Sequence, residues 1–574
     1  MGLATGASSR LHRVYLRRWF CDGDADLLDC LPVAAALSEL DCYDLTRCLA
    51  HVCDRLHLSF RVSRSLTEGL AGDSLVGAGI TMWIEGFLTA LQPLNLLYLI
   101  SGTAFGMIIG ALPGLGPLFG VALMLPLTFG MPAATAIIFL TAVHAATAYG
   151  DSFASIMINA PGGVGSVASC WDGYPMAQKG QAGVAMGIST FGSFIGGVTG
   201  WISLVVLSPL LIAVAVNMGP PEYFMVSVMA LSLLALASGE QPLKGLFLGG
   251  IGLLLSFVGR DPITAEARFT FGITYLEDGL PLAAVVLGLF ALSQALVLSQ
   301  EEGSISQFRT VGKVWEGFVQ VLRLPATIVR ASIVGIFMGV LPALGLSSAN
   351  VVAYFTEKRA AKDPENFGHG DPRGLLAPEI AKNACIVGDL IPTFTLGIPG
   401  SSVTAIFLAA MIMHGLQPGA EFFSRSGVLP YTVFAGILLA QVSFFLMGLL
   451  FARQFAKAVL IPNALLVPLI VVLSFIASLA LRGNLEDVIV TFIFGFLGYL
   501  MSVYRYPTAC VVLGLVLGDL VEANFHRSIL IGHGSYTIFF TRPASLTLFI
   551  LTIAMLIWPY LRLPACQNGK RSSL

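Results

Sequence analysis

Two short stretches of this sequence combine groups that can hold a small anion and the cation that accompanies it. Gly150-Asp151 is followed by Pro161-Gly162, and Gly388-Asp389 by Pro399-Gly400 at the same spacing, all in apolar surroundings. A proline-glycine step breaks a helix. Broken backbone at membrane depth is tolerated only where protein or an aqueous cavity satisfies its amides and carbonyls. The helix that restarts after the break presents free N–H groups and a positive dipole end, which suits a carboxylate. Ser401, Ser402 and Thr404 add hydroxyls at one break, Ser166 and Ser169 at the other. Two further breaks, Pro113-Gly-Leu-Gly-Pro117 and Pro342-Ala-Leu-Gly345, complete a set of four. One kink is usually packing, but four in two matched pairs point to a site. Its substrate-binding candidates are Gly114, Gly116, Asn159, Pro161, Gly162, Ser166, Gly397, Pro399, Gly400, Ser401 and Ser402.

Ionisable groups in apolar segments are costly and mark function. Asp151 and Asp389 occupy matching places, each ahead of a short helix ending in Pro-Gly. Either they cap a buried helix start, or they couple transport to an ion by binding Na⁺ with nearby carbonyls or by taking up a proton. Asn350 and Asn383 join them as ion-coupling candidates, and Asn159 is a further polar group beside a break. His144 reads as a satisfied core histidine, Glu379 and Lys382 as interfacial, and Asp519 and Glu522 as water-facing at a span end. There is no HExxH, no GxSxG and no Walker lysine, so neither proteolysis nor ATP-driven transport has residues to carry it and no enzyme is expected. The nine cysteines show no CxxC pairing, which supports neither a metal site nor a disulfide framework. No cofactor is called for beyond a coupling Na⁺ or H⁺.

The elements that must position these groups are membrane helices. Hydrophobic residues make up 56% of the 574-residue chain and charged ones 11%, with a mean hydropathy of +0.84. Apolar blocks such as Leu96–Leu112, Ile202–Val216, Leu282–Leu298, Leu429–Phe451, Leu460–Leu481 and Leu546–Leu561 approach the roughly 20 residues that cross a bilayer. No basic stripe with interleaved aromatics suggests nucleic acid. A repeat organises the chain: Gly106-Met-Ile-Ile-Gly110-Ala-Leu-Pro113 returns as Gly335-Ile-Phe-Met-Gly339-Val-Leu-Pro342, an offset of 229 (106 to 335), while Asp151 returns as Asp389, an offset of 238. Gly102, Gly106 and Gly110 are spaced for close helix packing. Basic clusters Arg309–Arg323 and Lys358–Arg373 flank Pro325–Tyr354, which is too short for two crossings, so a re-entrant hairpin is expected there and, by the repeat, at Leu96–Leu127. The fold class that follows is an all-α polytopic membrane protein with two structural repeats, broken helices, re-entrant hairpins and about 10–12 membrane segments. The expected divisions are an N-terminal extension 1–81, disordered or not native, with Met82 opening an amphipathic lead-in; repeats 82–300 and 325–562; a polar cytoplasmic linker 301–324; and a tail 563–574.

The blocks IIGALPGLGP and ALMLPLTFGM, then INAPG, SCWDGYPMAQKGQAG, GPPEYF, DPITAEARFTFG, LAPEIAKNA, LIPTFTLGIPGSS and HGLQPG occur in this order. In these the chain, from about Met82 to Leu561, resembles the TctA family, the large membrane subunit of bacterial tripartite tricarboxylate transporters. The resemblance implies a small four-span membrane subunit, a periplasmic solute-binding protein, the bacterial inner membrane, and ion-coupled uptake of a di- or tricarboxylate. It would place the substrate region at Gly114 and Gly116, Asn159 to Gly162, and Gly397 to Ser402. The chain departs from the family pattern at Asp151 and Asp389, where a small neutral residue is usual, and at Ala343, where glycine is. Rival readings are a channel or exporter of organic anions without a binding protein, and a structural scaffold subunit.

Overall fold

The computed structural model describes residues 75–237, 242–261, 264–300, 313–341, 345–456 and 463–561. The Pro342 break with Ala343, residues 301–312 of the expected linker, most of 1–81 and the tail 563–574 lie outside them. The chain divides into two compact units, Met1–Gly77 and Ala78–Leu574, and everything that follows concerns the second.

Helices dominate. The first part of the unit contains α1 (Leu75–Ala90), α2 (Pro93–Ala111), α3 (Pro117–Met124), α4 (Ala133–Ile158), α5 (Val167–Gln178), α6 (Ala182–Val216), α7 (Pro220–Ala237), α8 (Pro242–Ser256) and α9 (Leu282–Leu298). Between α8 and α9 lies a two-stranded antiparallel ribbon, β1 (Gly259–Arg260) and β2 (Ala267–Arg268). The second part contains α10 (Val314–Leu322), α11 (Pro325–Val340), α12 (Gly345–Ala360), α13 (Pro372–Gly388), α14 (Leu390–Leu396), α15 (Ser402–Met413), α16 (Ala420–Arg425) and α17 (Leu429–Ala456). The chain closes with α18 (Asn463–Arg482), α19 (Leu485–Val503), α20 (Thr508–Ile531), α21 (Ile538–Thr541) and α22 (Pro543–Leu561).

Six of the described helices are long and apolar enough to cross a membrane, and α10–α11 form a seventh, bent pair turned through 87°. Their outward faces carry continuous apolar stripes, Ile202, Val206, Leu210 and Val214 on α6 and Val329, Ile333 and Phe337 on α11. Water would not tolerate such stripes at helical spacing, whereas lipid does. The molecule is an all-α, multi-pass membrane protein.

The two halves repeat the same sequence of elements. In each, a helix ends in a break and restarts (α2/α3 and α11/α12), and a second helix breaks and restarts (α4/α5 and α13–α14/α15). A long helix, α6 or α17, follows. The breaks match in detail: Leu112 ends α2 at φ −83° and ψ 126°, and Leu341 ends α11 at −81° and 116°. The spaced glycines let α2 meet α4 and α11 meet α13 almost backbone to backbone. A Cβ on Gly110 would lie 2.2 Å from the Thr147 carbonyl oxygen, and one on Gly339 would lie 2.5 Å from that of Cys385.

The halves also interlock. Lead-in helices α1 and α10 both carry Glu-Gly-Phe, at Glu85-Gly86-Phe87 and Glu316-Gly317-Phe318. Gly86 of α1 seats on Tyr431 of α17, and Gly317 of α10 on Val184 of α6. Each lead-in therefore docks on the long helix of the opposite half.

Candidate functional site

The site is built from helix ends. A cavity of about 390 Å³ is bordered by Gly114, Gly116 and Pro117 at the first break, by Gly163 and Val164 at the second, by Gly345 to Ser347 beyond the third, and by Ser401 to Val403 at the fourth. Pro507 and Thr508 reach it at the start of α20. Four α-helices, α3, α12, α15 and α20, thus open on it with their N-termini, as does the short turn that leads into α5. Each helix start has N–H groups without an intrahelical partner. The volume suits a small organic molecule. Among the described residues no lysine or arginine borders it; Ser293, Gln294, Ser347 and Ser502 supply hydroxyl and amide groups, and His144 and Asp389 an imidazole and a carboxylate.

Local chemistry makes the breaks. Asn159 ends α4 at φ 58° and Gly397 ends α14 at φ 70°; this left-handed turn favours glycine and asparagine. Gly162 lies against the Asp151 backbone and Gly400 against that of Asp389, where a Cβ would come within 2.5 Å and 2.6 Å of main-chain atoms. Ser401 then caps α15, accepting from the Thr404 amide at 3.3 Å while Thr404 Oγ1 accepts from the Ser401 amide at 2.8 Å.

Of the residues singled out from sequence, Gly114, Gly116, Asp389, Ser401 and Ser402 border the cavity. The others do not, and they support it in different ways. Asn159 and Pro161 are exposed, whereas Gly162, Gly397, Pro399 and Gly400 are buried in the turns. Ser166 Oγ donates to the Gly163 carbonyl at 3.1 Å. Asn350 Oδ1 accepts from the Ala168 amide at 2.8 Å, so α12 of one half caps α5 of the other. Asn383 Nδ2 donates to the Glu379 carbonyl at 3.0 Å.

Three sequence expectations need correction. Neither aspartate caps a helix: Asp151 lies inside the continuous α4, and Asp389 sits at the α13–α14 junction without a side-chain cap bond. Glu379 and Lys382 are not interfacial but wholly buried. Lys382 Nζ lies 2.7 Å from Asp151 Oδ1 and 3.1 Å from Glu379 Oε2, and Glu379 accepts hydroxyls from Ser152 at 2.9 Å, Ser169 at 2.6 Å, Ser189 at 2.9 Å and Ser193 at 3.0 Å. Charges at this depth persist only when paired and hydrogen-bonded. Glu522 is likewise buried rather than water-facing, held by Arg268 through bonds of 2.6 Å and 3.0 Å, while Asp519 is exposed.

Outside the spans, Asp172 fastens the polar loop between α12 and α13. It accepts from the amides of Gly368, Gly370 and Asp371 at 3.0, 2.7 and 2.8 Å, and from Tyr354 Oη at 3.0 Å. In that loop Arg373 holds the Asp363 carboxyl below the usual carboxylate range.

A second cavity, about 880 Å³, lies farther along the same helices. It is bordered by Leu125 after α3, Ala283 of α9, Ala409 of α15 and Leu515 of α20. Between the two cavities stand four or five residues of each helix, among them Val121, Val285, Ile406 and Val512, all fully buried. This septum is about 6–8 Å of packed apolar side chains at 1.5 Å per helical residue.

Residues 96–513 match the tripartite tricarboxylate transporter TctA family. A protein of Agrobacterium vitis described as an uncharacterized 52.8 kDa protein in the TAR-I ttuC' 3'region is 34% identical over 474 residues, covering 82% of this chain and 94% of that protein. A second, described as an uncharacterized protein in the TAR-II ttuC' 3'region, is 32% identical over 223 residues, 39% of this chain and 92% of its own length. No solved structure matches.

Proposed function

The chain belongs to the TctA family, and from that premise we propose that it is the permease subunit of a binding-protein-dependent secondary transporter importing small di- or tricarboxylates with a cation. The observation that carries this reading is the convergence of four helix N-termini, and of the turn that leads into α5, on one cavity that no lysine or arginine among the described residues borders. Main-chain N–H groups and aligned dipoles hold an anion without burying a fixed cation beside it, so the anion can also leave. Gly114, Gly116, Ser401 and Ser402 act at the substrate, with Ser347, Gln294 and Thr508. Asn159, Pro161, Gly162, Ser166, Gly397, Pro399 and Gly400 shape the turns that aim the N-termini. Asp151, Asp389, Asn350 and Asn383 belong to ion coupling and to the scaffold around it. The septum is the closed barrier of an alternating-access cycle, and the second cavity is the vestibule beyond it. A small four-span membrane subunit and a periplasmic binding protein complete the assembly in a bacterial inner membrane.

The test is uptake of radiolabelled citrate and succinate by cells lacking their own carriers. They express this chain together with a small membrane subunit and a solute-binding protein of the same transporter family. Ser402→Ala and Gln294→Ala are expected to raise KM several-fold at normal membrane abundance. Equal uptake with and without this chain would refute the reading, and wild-type KM in both variants would move the substrate elsewhere.

A further inference from the structure

The offset of 238 that carries Asp151 to Asp389 also carries several of the hydrogen bonds and backbone angles around them. Ser155 Oγ donates to the Asp151 carbonyl at 3.2 Å, and Thr393 Oγ1 to that of Asp389 at 2.7 Å. Gly163 has φ −148° and ψ 174°; Ser401 has −148° and 173°. Ser166 Oγ donates to the Gly163 carbonyl at 3.1 Å, and Thr404 Oγ1 to that of Ser401 at 2.9 Å. The same offset carries His144 to Lys382, each seven residues ahead of its aspartate.

Lys382 does not serve the aspartate of its own half. It crosses to Asp151 of the other half at 2.7 Å, with both side chains fully buried. The mirrored contact would run from His144 to Asp389, and it is open. His144 and Asp389 border the same cavity and are 2% and 4% exposed. His144 Nδ1 and Asp389 Oδ1 are buried and without a hydrogen-bond partner. The His144 ring rests against Phe407 at 5.7 Å, and the Ser401 hydroxyl is a hydrogen-bonding neighbour of Asp389.

We infer that His144 and Asp389 form a proton-carrying pair, the titratable counterpart of the fixed Lys382–Asp151 bridge, and that one proton held there accompanies each carboxylate through the cycle. This deepens the transport reading above and rests on it. The other titratable groups around the pair do not replace it. Cys510 borders the cavity and Cys385 lies one turn before Asp389 on α13. Lys382 is engaged by both Asp151 and Glu379. Among the described residues no cluster of three His, Cys, Asp or Glu side chains could hold a metal ion, and an imidazole and a carboxylate bordering one cavity are groups that carry a proton.

The coupling is electrostatic. With Asp389 ionised, an entering carboxylate meets a like charge in a small cavity of low dielectric. A proton on the pair removes that repulsion, so anion and proton favour each other's binding, and reciprocally. No bond to the substrate forms or breaks. The proton enters from water on one side, resides on imidazole nitrogen or carboxylate oxygen, and leaves to water on the other.

The experiment is binding of succinate and citrate to the purified full-length chain in nanodiscs by calorimetry, from pH 5.5 to 8.5, with proton uptake read from buffers of different ionisation enthalpy. Wild type is expected to take up one proton per anion and to weaken about tenfold per pH unit above the pair's titration. Asp389→Asn should bind at high pH as wild type does at low pH, with the slope gone. His144→Gln should lose the low-pH gain. His144→Lys copies the fixed bridge and should flatten the slope even if the glutamine variant fails to fold. Wild-type slope and proton uptake in Asp389→Asn and His144→Lys would overturn the pair while leaving transport standing. Absence of carboxylate binding by wild type at every pH, with or without the membrane subunit, would overturn both readings.

Discussion

Lys382 shows how far a side chain's meaning depends on what folds around it. Glu379 and Lys382 stand three apart on a helix, a spacing that reads as a solvated surface pair. In the fold they are the centre of a buried cluster reaching Asp151, 231 positions away, with four serines closing the carboxylate. Lys382→Met should cost about 3–5 kcal/mol, because it leaves Asp151 and Glu379 buried without their shared cation, whereas Asp151→Asn leaves Lys382 paired with Glu379 and should cost less. Adding Asp151→Asn to Lys382→Met should recover part of that loss, with Glu379 still held by its serines; melting followed by fluorescence-detected size exclusion measures it. Equal melting of Lys382→Met and the double variant would refute the pairing. Legible beforehand were the two aspartates, since carboxylates in apolar sequence stand out. His144, by contrast, read as core, because nothing along one strand of text shows that a residue faces a cavity. Ser293, Gln294 and Thr508 were missed for the same reason, being ordinary helix residues whose only signal is position.

At the scale of elements, glycine spacing and proline-glycine steps located the helix ends and the close helix contacts, because backbone approach and helix breaking are local properties. Gly110→Ala should cost about 1–3 kcal/mol, since its Cβ has 2.2 Å to the Thr147 oxygen and both neighbours are main chain. Gly130→Ala, with nothing within 4 Å, is the control; equal melting temperatures would refute the close approach. Asp172→Ala removes a carboxylate that accepts from three amides and a phenol. Limited proteolysis between α12 and α13 should quicken severalfold while the rest of the chain stays resistant. What stayed hidden at this scale was the crossing of partners. Asn350 caps a helix of the other half, and each lead-in docks on the opposite long helix. A repeat read along the chain shows that two halves correspond, but not which helix of one packs on which helix of the other.

Over the whole molecule, the proposed transport cycle requires the septum between the two cavities to open. A cysteine at Ser256, which borders the second cavity, should be labelled by a membrane-impermeant maleimide added on that side. One at Ile406, fully buried in the septum, should react only when substrate drives the cycle; labelling at Ile406 in the resting protein would refute the barrier. The exchanged lead-ins carry a consequence for biogenesis. As the ribosome delivers the first half, the seat of α1 on α17 has not been made, nor have α13 and Lys382, on which α6 and Asp151 depend. The nascent first half must therefore wait in the bilayer with an uncompensated carboxylate and an unpaired glycine seam until some 230 more residues emerge. An insertase that holds such half-built bundles should limit the yield of this protein more than the stability of the finished fold does.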